Sequence, residues 1–168
     1  MKTLIAVRHA KSSWDEPWLS DHDRPLNKRG ERNAPEMGWR LADRKIFPEI
    51  LVSSTAVRAL ETARLMAKEI SFSPEKIIQE RKLFHSAPRE IIAVVRHLPA
   101  NFHSAMIFLH NPGITDFVNR ICDISLDNIP TAGMAAIQFE AWRWDEVDFG
   151  NGKLLFYDYP KKEYTENK

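Results

Sequence analysis

The sequence of 168 residues has a single cysteine, Cys122, so it cannot form an internal disulfide or a cysteine-based zinc cluster. The sequence also lacks an excess of charge of either sign, because it has 24 lysines and arginines and 23 aspartates and glutamates. This balance gives no indication of nucleic-acid or membrane binding. Its apolar runs are far shorter than the ~20 residues of a membrane-spanning helix. No signal-peptide pattern follows Met1, and we expect a cytoplasmic protein.

Length and composition are those of one globular domain. The hydrophobic share of 43% and the charged share of 28% are ordinary for such a domain. A chain of this length can bury one core and is small for two. Internal repeats, linkers and low-complexity blocks are not found in the sequence. We therefore assign residues 1–160 to a single domain and residues 161–168 to a polar C-terminal tail.

Strand and helix patterns alternate along the chain, which predicts an α/β fold with a mainly parallel sheet. Short apolar runs predict strands, and the stretches after them have the apolar spacing of core-facing helices. The predicted strands are 3–7, 50–52, 76–80 and 105–109. The helix over about 28–44 contains Pro35, which predicts a kink or a late start. Segments 134–142 and 154–159 predict a terminal β-hairpin with its turn around Gly150.

The first predicted strand ends directly at a cation and an imidazole. Residues 3–7 are uncharged, and polarity changes abruptly at Arg8 and His9. A parallel strand of this kind ends at the rim of an open α/β sheet, where such sheets bind ligands. The pair is therefore placed where the fold class predicts a site.

Two further strand ends repeat this arrangement. Arg58 falls in the first turn of the helix after the second strand, where a cation opposes the helix dipole unless an anion is bound. The fourth strand ends at His110, and Gly113 shortly after it permits close backbone approach to a ligand. Considered alone, Arg58 could equally be an exposed surface arginine, and His110 could equally be a histidine packed against its neighbours.

Together the three strand ends indicate a common site. In a parallel sheet they lie on the same edge, so Arg8, His9, Arg58 and His110 can converge. Guanidinium groups suit the oxygens of a phosphoryl group. Two imidazoles can supply a nucleophile and a group that stabilises charge. The residues therefore predict a site that processes phosphate.

These motifs resemble those of the histidine phosphatase superfamily, which includes the cofactor-dependent phosphoglycerate mutases. Three motifs match in residues and in spacing: Arg8-His9, Ser54-x-Ala56-x-Arg58-Ala59-x-x-Thr62-Ala63, and His110-Asn111-Pro112-Gly113. The small size of the chain and one further segment resemble the SixA-type phosphohistidine phosphatases of that superfamily. That segment is Asp23-Arg24-Pro25-Leu26-Asn27.

The resemblance implies a phosphoglycerate mutase-like fold, a three-layer α/β/α sandwich, and a phosphohistidine intermediate. It implies no metal and no cofactor. It also implies His9 as the nucleophile, with Arg8, Arg58 and His110 forming the phosphate pocket. His110, if protonated, adds a third hydrogen-bond donor. Ser12 is a further candidate for a hydrogen bond to the substrate.

The chain departs from the family pattern after the third strand, where mutases and many phosphomonoesterases have a glutamate that protonates the leaving oxygen. Residues 82–87 contain no carboxylate here. An imidazole leaving group departs neutral with less help than an alkoxide, which favours a phosphohistidine substrate. Alternatively the acid comes from Asp21, Asp23 or His85. We prefer Asp21, because SixA-type members have an acidic residue at a comparable point.

The chain has no room for the substrate-capping insertion of longer family members, so we expect an open, shallow site. This favours a phosphorylated protein as partner, such as a histidine-containing phosphotransfer domain, over a buried metabolite. One alternative is a general phosphomonoesterase of small phosphorylated molecules. Another is a phosphate-binding module without turnover. A metal-dependent hydrolase would need histidines or carboxylates at ligand spacing, and the sequence shows none.

Overall fold

The computed structural model describes residues 1–167, in which six strands form one sheet in the order β3-β2-β4-β1-β5-β6. The strands are β1 Lys2–Arg8, β2 Ile50–Ser53, β3 Ile78–Gln79, β4 Ser104–Leu109, β5 Met134–Phe139 and β6 Lys153–Asp158. Strands β1 to β4 pair in parallel, whereas β5 is antiparallel to β1 and to β6. The predicted mainly parallel sheet with a C-terminal antiparallel pair is confirmed.

Helices cover both faces of this sheet, which confirms the predicted three layers. The helices are α1 Lys28–Asp43, α2 Val57–Glu69, α3 Pro88–Arg96 and α4 Gly113–Cys122. Alternate residues of β1 enter opposite cores: Ile5 and Val7 pack with residues of α1 and α2, whereas Leu4 and Ala6 pack with residues of α3 and α4. This alternation follows from the two-residue period of a strand buried on both faces.

Strand register brings three chain segments to one edge of the sheet. Arg8 at the end of β1 pairs with Leu109 at the end of β4, and Ser53 at the end of β2 pairs with Phe108. The segments that continue from these strands therefore start side by side. This is the edge at which the sequence predicted the site.

Helix α2 begins differently from the prediction. Ser53, Ser54 and Thr55 precede this helix, and because serine and threonine are common N-caps the sequence predicts a cap from one of them. Its N-cap is instead Ala56, which makes no side-chain cap hydrogen bond. The Ser54 hydroxyl instead accepts a hydrogen bond from the Ala56 backbone N–H at 3.2 Å. A late start of α1 at Pro35 is also wrong, because that residue lies inside the helix.

The connection between β5 and β6 is longer than a tight turn. Strand β5 ends at Phe139, and a short 3-10 helix, Trp144–Glu146, precedes β6. Trp144 is buried, and its indole N–H donates to the Phe102 carbonyl, whereas Trp142 is 85% exposed. From the sequence, core packing is the interpretation we favour for both tryptophans of this segment; it is correct for Trp144 and wrong for Trp142.

The last residues that the structure describes lie against α1. The Tyr164 hydroxyl donates to the Asp43 carboxylate, as does the backbone N–H of Asn167. The Tyr164 ring also meets the ring of Trp39 edge-on. Within residues 1–167, no helix has both the length and the apolarity needed to cross a membrane.

Candidate active site

The four residues predicted to converge line one cleft of about 290 Å³ at the edge of the sheet. Arg8 comes from the end of β1 and His9 follows it, while Arg58 lies in the first turn of α2 and His110 follows β4. The ring centroids of His9 and His110 are 5.1 Å apart, and Arg58 is hydrogen-bonded to His9. The predicted convergence is confirmed.

His9 is held by one hydrogen bond at each ring nitrogen. Its Nδ1 lies 2.7 Å from the carbonyl oxygen of Ala10, and its Nε2 lies 3.3 Å from Nε of Arg58. Since a carbonyl only accepts and a guanidinium only donates, Nδ1 carries the proton and Nε2 has the lone pair. This lone pair lies beside a cation and can attack an electrophile.

The His9 imidazole is neutral at physiological pH. Burial is the largest influence and lowers its pKa to about 3, with the charges of Arg58 and Arg8 acting in the same direction. The hydrogen bond to the Ala10 carbonyl opposes this shift without cancelling it. The lone pair on Nε2 is therefore present across the pH range of ordinary cytosolic or extracellular fluids.

Thr62 connects the segment that holds His9 to the helix that holds Arg58. Its buried hydroxyl accepts a hydrogen bond from the Ala10 backbone N–H at 2.9 Å and donates to the Arg58 carbonyl at 2.7 Å. Ala10 in turn supplies the carbonyl that fixes the His9 tautomer. One side chain thus sets the distance between the two functional groups.

Arg58 is 3% exposed, and its guanidinium bonds to two neighbouring residues. Besides the contact with His9, its terminal nitrogens donate to the Asp21 backbone carbonyl and to the Asp21 carboxylate. Burial lowers the pKa of Arg58, while the Asp21 carboxylate acts to raise it. The alternative of a merely exposed surface arginine is wrong, and the cation faces the cleft.

Arg8 presents part of its guanidinium without a protein partner. Its Nη1 donates to the Ile129 carbonyl at 2.9 Å. Its Nε is buried and makes no hydrogen bond within the described residues. Burial lowers the pKa of Arg8, and the neighbouring charge of Arg58 adds to this effect. A buried N–H donor of this kind favours an anionic ligand in the cleft.

His110 lies opposite His9 and is bonded to a serine. Its Nε2 lies 2.8 Å from the Ser54 hydroxyl oxygen, and its Nδ1 is buried without a hydrogen bond in the described part of the chain. Burial lowers the pKa of His110 to about 2, and His9 and Arg58 contribute to the shift. In the free protein this imidazole is therefore neutral, and the condition that it be protonated is not met.

Gly113 has a packing role in addition to its place near His110. A Cβ at this position would lie 2.1 Å from the Ser86 carbonyl oxygen, so only glycine fits. The segment of the backbone that comes close to Gly113 is therefore the one that contains Ser86. This contact fixes the start of α4 against the segment that precedes α3.

Arg24 was not among the predicted site residues, yet it lines the cleft. It is 8% exposed, and its guanidinium donates to the hydroxyl of Ser12 at 2.9 Å and to the carboxylate of Asp21. It also stacks on the ring of Trp14, with 3.6 Å between Cζ and the ring centroid. The segment around Arg24 had been noted only for its resemblance, and that was the signal available in the sequence. Three further lining residues were also not assigned: Lys11, Asn111 and Thr131.

Ser12 lies in the cleft wall as an acceptor. The structure places its oxygen against Arg24, so this guanidinium is the neighbour that orients it. The Ser12 backbone pairs with Leu26 in an isolated antiparallel bridge. The serine is therefore positioned by the loop that also holds Arg24.

Asp21 is the carboxylate at the rim of the cleft. Its oxygens contact the guanidinium groups of Arg58 and Arg24 at 3.1 to 3.3 Å, and Nε2 of His85 lies 3.1 Å away. Burial acts to raise the pKa of Asp21, but Arg58 and then Arg24 outweigh it and lower the pKa. Asp23, the other acidic candidate, pairs with His22 and does not line the cleft. Within residues 1–167, no three metal-binding side chains lie close enough to hold an ion.

Comparison with known proteins agrees with this geometry. A profile of the histidine phosphatase superfamily (branch 1) matches residues 4–105, which is more than half of the chain. The chain belongs to this superfamily. An uncharacterised chloroplastic protein of Arabidopsis thaliana is 29% identical over 154 residues, covering 87% of this chain and 70% of that protein. Phosphoglycerate mutase 1 of Saccharomyces cerevisiae is 33% identical over 70 residues, covering 39% of this chain and 27% of the mutase.

Solved structures of superfamily members share the fold. A SixA protein from Nakamurella multipartitia superposes with a TM-score of 0.83 at 23% identity, covering 96% of this chain and 97% of that one. The protein histidine phosphatase SixA in complex with tungstate gives 0.80 at 19% identity, covering 94% and 97%. As a member of the histidine phosphatase superfamily, the chain is a phosphatase with a histidine mechanism.

Proposed function

We propose that this histidine phosphatase removes phosphoryl groups from phosphohistidine on protein substrates, through a covalent intermediate on His9. The observation that carries the proposal is the hydrogen-bond pattern of His9. Its proton is committed to the Ala10 carbonyl, and its other nitrogen has a lone pair inside a cleft lined by arginines. A module that only binds phosphate needs cations and N–H donors in its cleft, and it does not need a neutral nucleophile such as Nε2 of His9.

In the first step, Nε2 of His9 forms a bond to phosphorus and the bond from phosphorus to the leaving nitrogen breaks. The electron pair of that bond leaves with the imidazole of the substrate, which takes up one proton from the proposed proton carrier, Asp21. In the second step, water forms a bond to phosphorus and passes a proton to Asp21, while the bond from phosphorus to Nε2 breaks and its electron pair returns to Nε2. Inorganic phosphate and the neutral His9 are released. In the transition state of each step, negative charge is spread over the phosphoryl oxygens. Cations and N–H donors stabilise this charge.

The arginines and His110 supply those donors. The unpartnered Nε of Arg8 and the buried guanidinium of Arg58 are the proposed ligands of the phosphoryl oxygens, and Arg24 completes the cationic wall. Guanidinium groups match the geometry of such oxygens and stay charged when buried. Ser12, already oriented by Arg24, is proposed as a further hydrogen-bond partner of the substrate.

The nature of the leaving group supports phosphohistidine as substrate. The segment 82–87 contributes His85 to the cleft and no carboxylate. Asp21 is our proposed proton carrier, and as a carboxylate in the free protein it is suited to accept the proton of the attacking water. Binding of a phosphoryl anion to Arg58 would compete with Asp21 and so raise its pKa, which would let it donate a proton in turn.

An open rim supports a protein as substrate. His85 and Asp21 are both well exposed at the cleft, with 61% and 44% of their side chains accessible. The loop that forms the cleft wall also exposes Trp14 and Trp18, at 69% and 75%. Exposed tryptophans next to a site are typical of protein-binding surfaces. A phosphorylated phosphotransfer domain is therefore the proposed partner.

A second candidate function is hydrolysis of small phosphate monoesters. The observation that favours it is the contact between Asp21 and His85, which places two groups able to carry a proton at the rim of the cleft. A proton donor of this kind would serve an alkoxide leaving group.

The two functions are separated by comparing kcat/KM for a phosphohistidine protein and for an alkyl phosphate under the same conditions. We expect the phosphohistidine protein to be turned over faster by at least about 100-fold. A preference for the alkyl ester would overturn the proposed substrate and favour the second function. Phosphate binding without any turnover would overturn both and leave a binding module.

A further inference from the structure

The Ser54 hydroxyl lies between the start of helix α2 and the imidazole of His110. It is fully buried, and its oxygen accepts a hydrogen bond from the Ala56 backbone N–H at 3.2 Å. The same oxygen lies 2.8 Å from Nε2 of His110. The family resemblance gave no role to this contact, and the sequence suggested only a helix cap for this serine.

The Ser54 hydroxyl has one available acceptor for its hydrogen atom among the described residues. A hydroxyl has one hydrogen to donate and two lone pairs that accept. The Ala56 N–H occupies one lone pair, and within residues 1–167 the hydroxyl meets no acceptor other than Nε2 of His110. A buried hydroxyl without an acceptor is unfavourable, so the hydroxyl donates to Nε2. That nitrogen must then present its lone pair.

We propose that Ser54 is a positioning residue that fixes His110 in the tautomer with its proton on Nδ1. The Nδ1 atom is buried, and in the described residues it has no hydrogen-bond partner. His110 lines the cleft with its ring centroid 5.1 Å from that of His9. The Nδ1–H group is therefore a donor held ready for an oxygen of the substrate, and that last assignment rests on the proposed function.

The tautomer matters because His110 is neutral. Burial, and after it the neighbouring His9 and Arg58, lower the pKa of His110 to about 2. A neutral imidazole has a single N–H group, so it donates from one nitrogen only. If the proton lay on Nε2, Nδ1 would present a lone pair to a bound anion and repel it.

Both histidines are thus held as the Nδ1–H tautomer, but in this proposal they act on the substrate through different nitrogens, Nε2 of His9 and Nδ1 of His110. The Ala10 carbonyl takes the proton of His9 away from the cleft and leaves a lone pair there. The Ser54 hydroxyl engages the lone pair on Nε2 of His110 and so leaves the proton of that ring on Nδ1. One ring is prepared to attack and the other to donate, without either being charged.

Ser54→Ala tests this role, with Ser53→Ala as the matched control. Ser53 is the preceding residue and equally buried, but its hydroxyl donates to the Ser54 carbonyl and does not touch His110. The direct readout is the ¹⁵N NMR signal pattern of the His110 ring in labelled protein, which distinguishes the two neutral tautomers. We expect Nδ1–H in the wild type and in Ser53→Ala, and a mixture of tautomers in Ser54→Ala.

The kinetic readout is kcat for a phosphohistidine protein. Complete loss of a donor to developing charge costs about 10²–10³ in kcat, and a mixed tautomer should cost about 10–100-fold. Ser53→Ala should stay within about twofold of the wild type. A wild-type His110 with its proton on Nε2 would overturn the inference, even if Ser54→Ala does not fold. An unchanged tautomer and unchanged kcat in Ser54→Ala would overturn it as well.

Failure of the proposed function would look different. If the wild-type protein turns over no phosphohistidine while His110 has its proton on Nδ1, the role of Ser54 stands and the proposed substrate is wrong. If the protein is active but His110 has the other tautomer, the substrate stands and the role of Ser54 is wrong.

Discussion

The Nε–H of Arg58 donates a hydrogen bond to Nε2 of His9 over 3.3 Å. The two residues come from different strand-to-helix connections, 49 positions apart in the chain. This contact identifies Nε2 as the nitrogen with the lone pair and places a cation beside it. A phosphoryl group that binds Arg58 is thereby brought next to the atom that is proposed to attack it.

The first prediction concerns the pH dependence of stability. The pKa values of His9 and His110 fall from 6.5 to about 3 and about 2 on folding. Between about pH 6.5 and pH 3 the unfolded chain binds these protons and the folded chain does not. Stability is therefore lost as the pH falls through this window, by up to about 1.4 kcal/mol per pH unit for each histidine.

Urea denaturation between pH 7 and pH 4 measures this slope. The double substitution His9→Gln with His110→Gln should flatten this slope, because it removes both groups whose pKa is lowered by burial. If the free energy of unfolding of the double variant has the same pH dependence as that of the wild type, the pKa values of His9 and His110 are not lowered on folding.

The second prediction concerns Thr62. Thr62→Val keeps the shape but removes the hydroxyl that bonds both to Ala10 and to the Arg58 carbonyl. The buried Ala10 N–H would lose its partner, which costs about 1–3 kcal/mol of stability. The alignment of His9 and Arg58 should loosen, and kcat should fall by about tenfold or more.

Thr62→Ser is the control, because it retains the hydroxyl and removes only a methyl group. It should recover most of the lost activity and stability. The account of Thr62 would be contradicted by equal losses in both variants, which would assign the effect to packing of the methyl group.

The sequence predicted most of the fold because strands and helices have different periods of apolar residues. The run 105–109 is apolar throughout, and it forms β4 in the interior of the sheet. The convergence of Arg8, His9, Arg58 and His110 followed from the geometry of parallel strands. These features depend on the local pattern of apolar residues, which is read from the sequence, and on the general geometry of parallel sheets.

Other features depend on contacts between distant segments and were missed for that reason. Arg24 reaches the cleft because its loop folds back on Ser12 and Trp14, which no local period reveals. Ser54 looked like a helix cap, since serine before a helix usually is one. Its hydroxyl bonds to His110 instead, 56 residues away. Trp142 and Trp144 share a segment and a residue type, and only the tertiary packing separates an exposed ring from a buried one.

The third prediction concerns Asp21. Asp21→Asn removes the charge that faces Arg58 and Arg24, so both guanidinium groups become freer to bind an anion. Inhibition by inorganic phosphate should become stronger, by about threefold or more. At the same time kcat for an alkyl phosphate should fall more than kcat for phosphohistidine, because an alkoxide needs a proton and an imidazole needs less help.

Asp23→Asn provides the comparison for Asp21. Asp23 is exposed, pairs with His22 and makes no contact with Arg58. It should change neither phosphate inhibition nor the ratio of the two substrates. If Asp21→Asn and Asp23→Asn behave alike, Asp21 has no part in anion binding or proton transfer.

The fourth prediction concerns the exposed tryptophans of the cleft wall. Trp14→Ala and Trp18→Ala should raise KM for a phosphorylated phosphotransfer domain by about tenfold, because each ring would be covered by the partner. Trp18→Ala should leave turnover of phosphorylated free histidine within twofold, since Trp18 does not line the cleft. Trp14 lines it and holds Arg24, so its effect should extend to both substrates.

Trp142→Ala is the matched control for these rings. Trp142 is 85% exposed and follows the end of β5 that lies away from the cleft. Its removal should alter neither substrate. An equal response to all three substitutions, or none to any, would argue against a protein-binding surface at the cleft wall.

The covalent intermediate on His9 is the central claim. Its most direct test is to mix the protein with a phosphohistidine substrate labelled in the phosphoryl group, quench within milliseconds at alkaline pH and map the label by mass spectrometry. We predict a phosphoryl group on the peptide that contains His9, and no labelled peptide with His9→Ala, whose turnover should fall by about 10³-fold or more. Rapid turnover by His9→Ala, or label found only on another residue, would contradict the account.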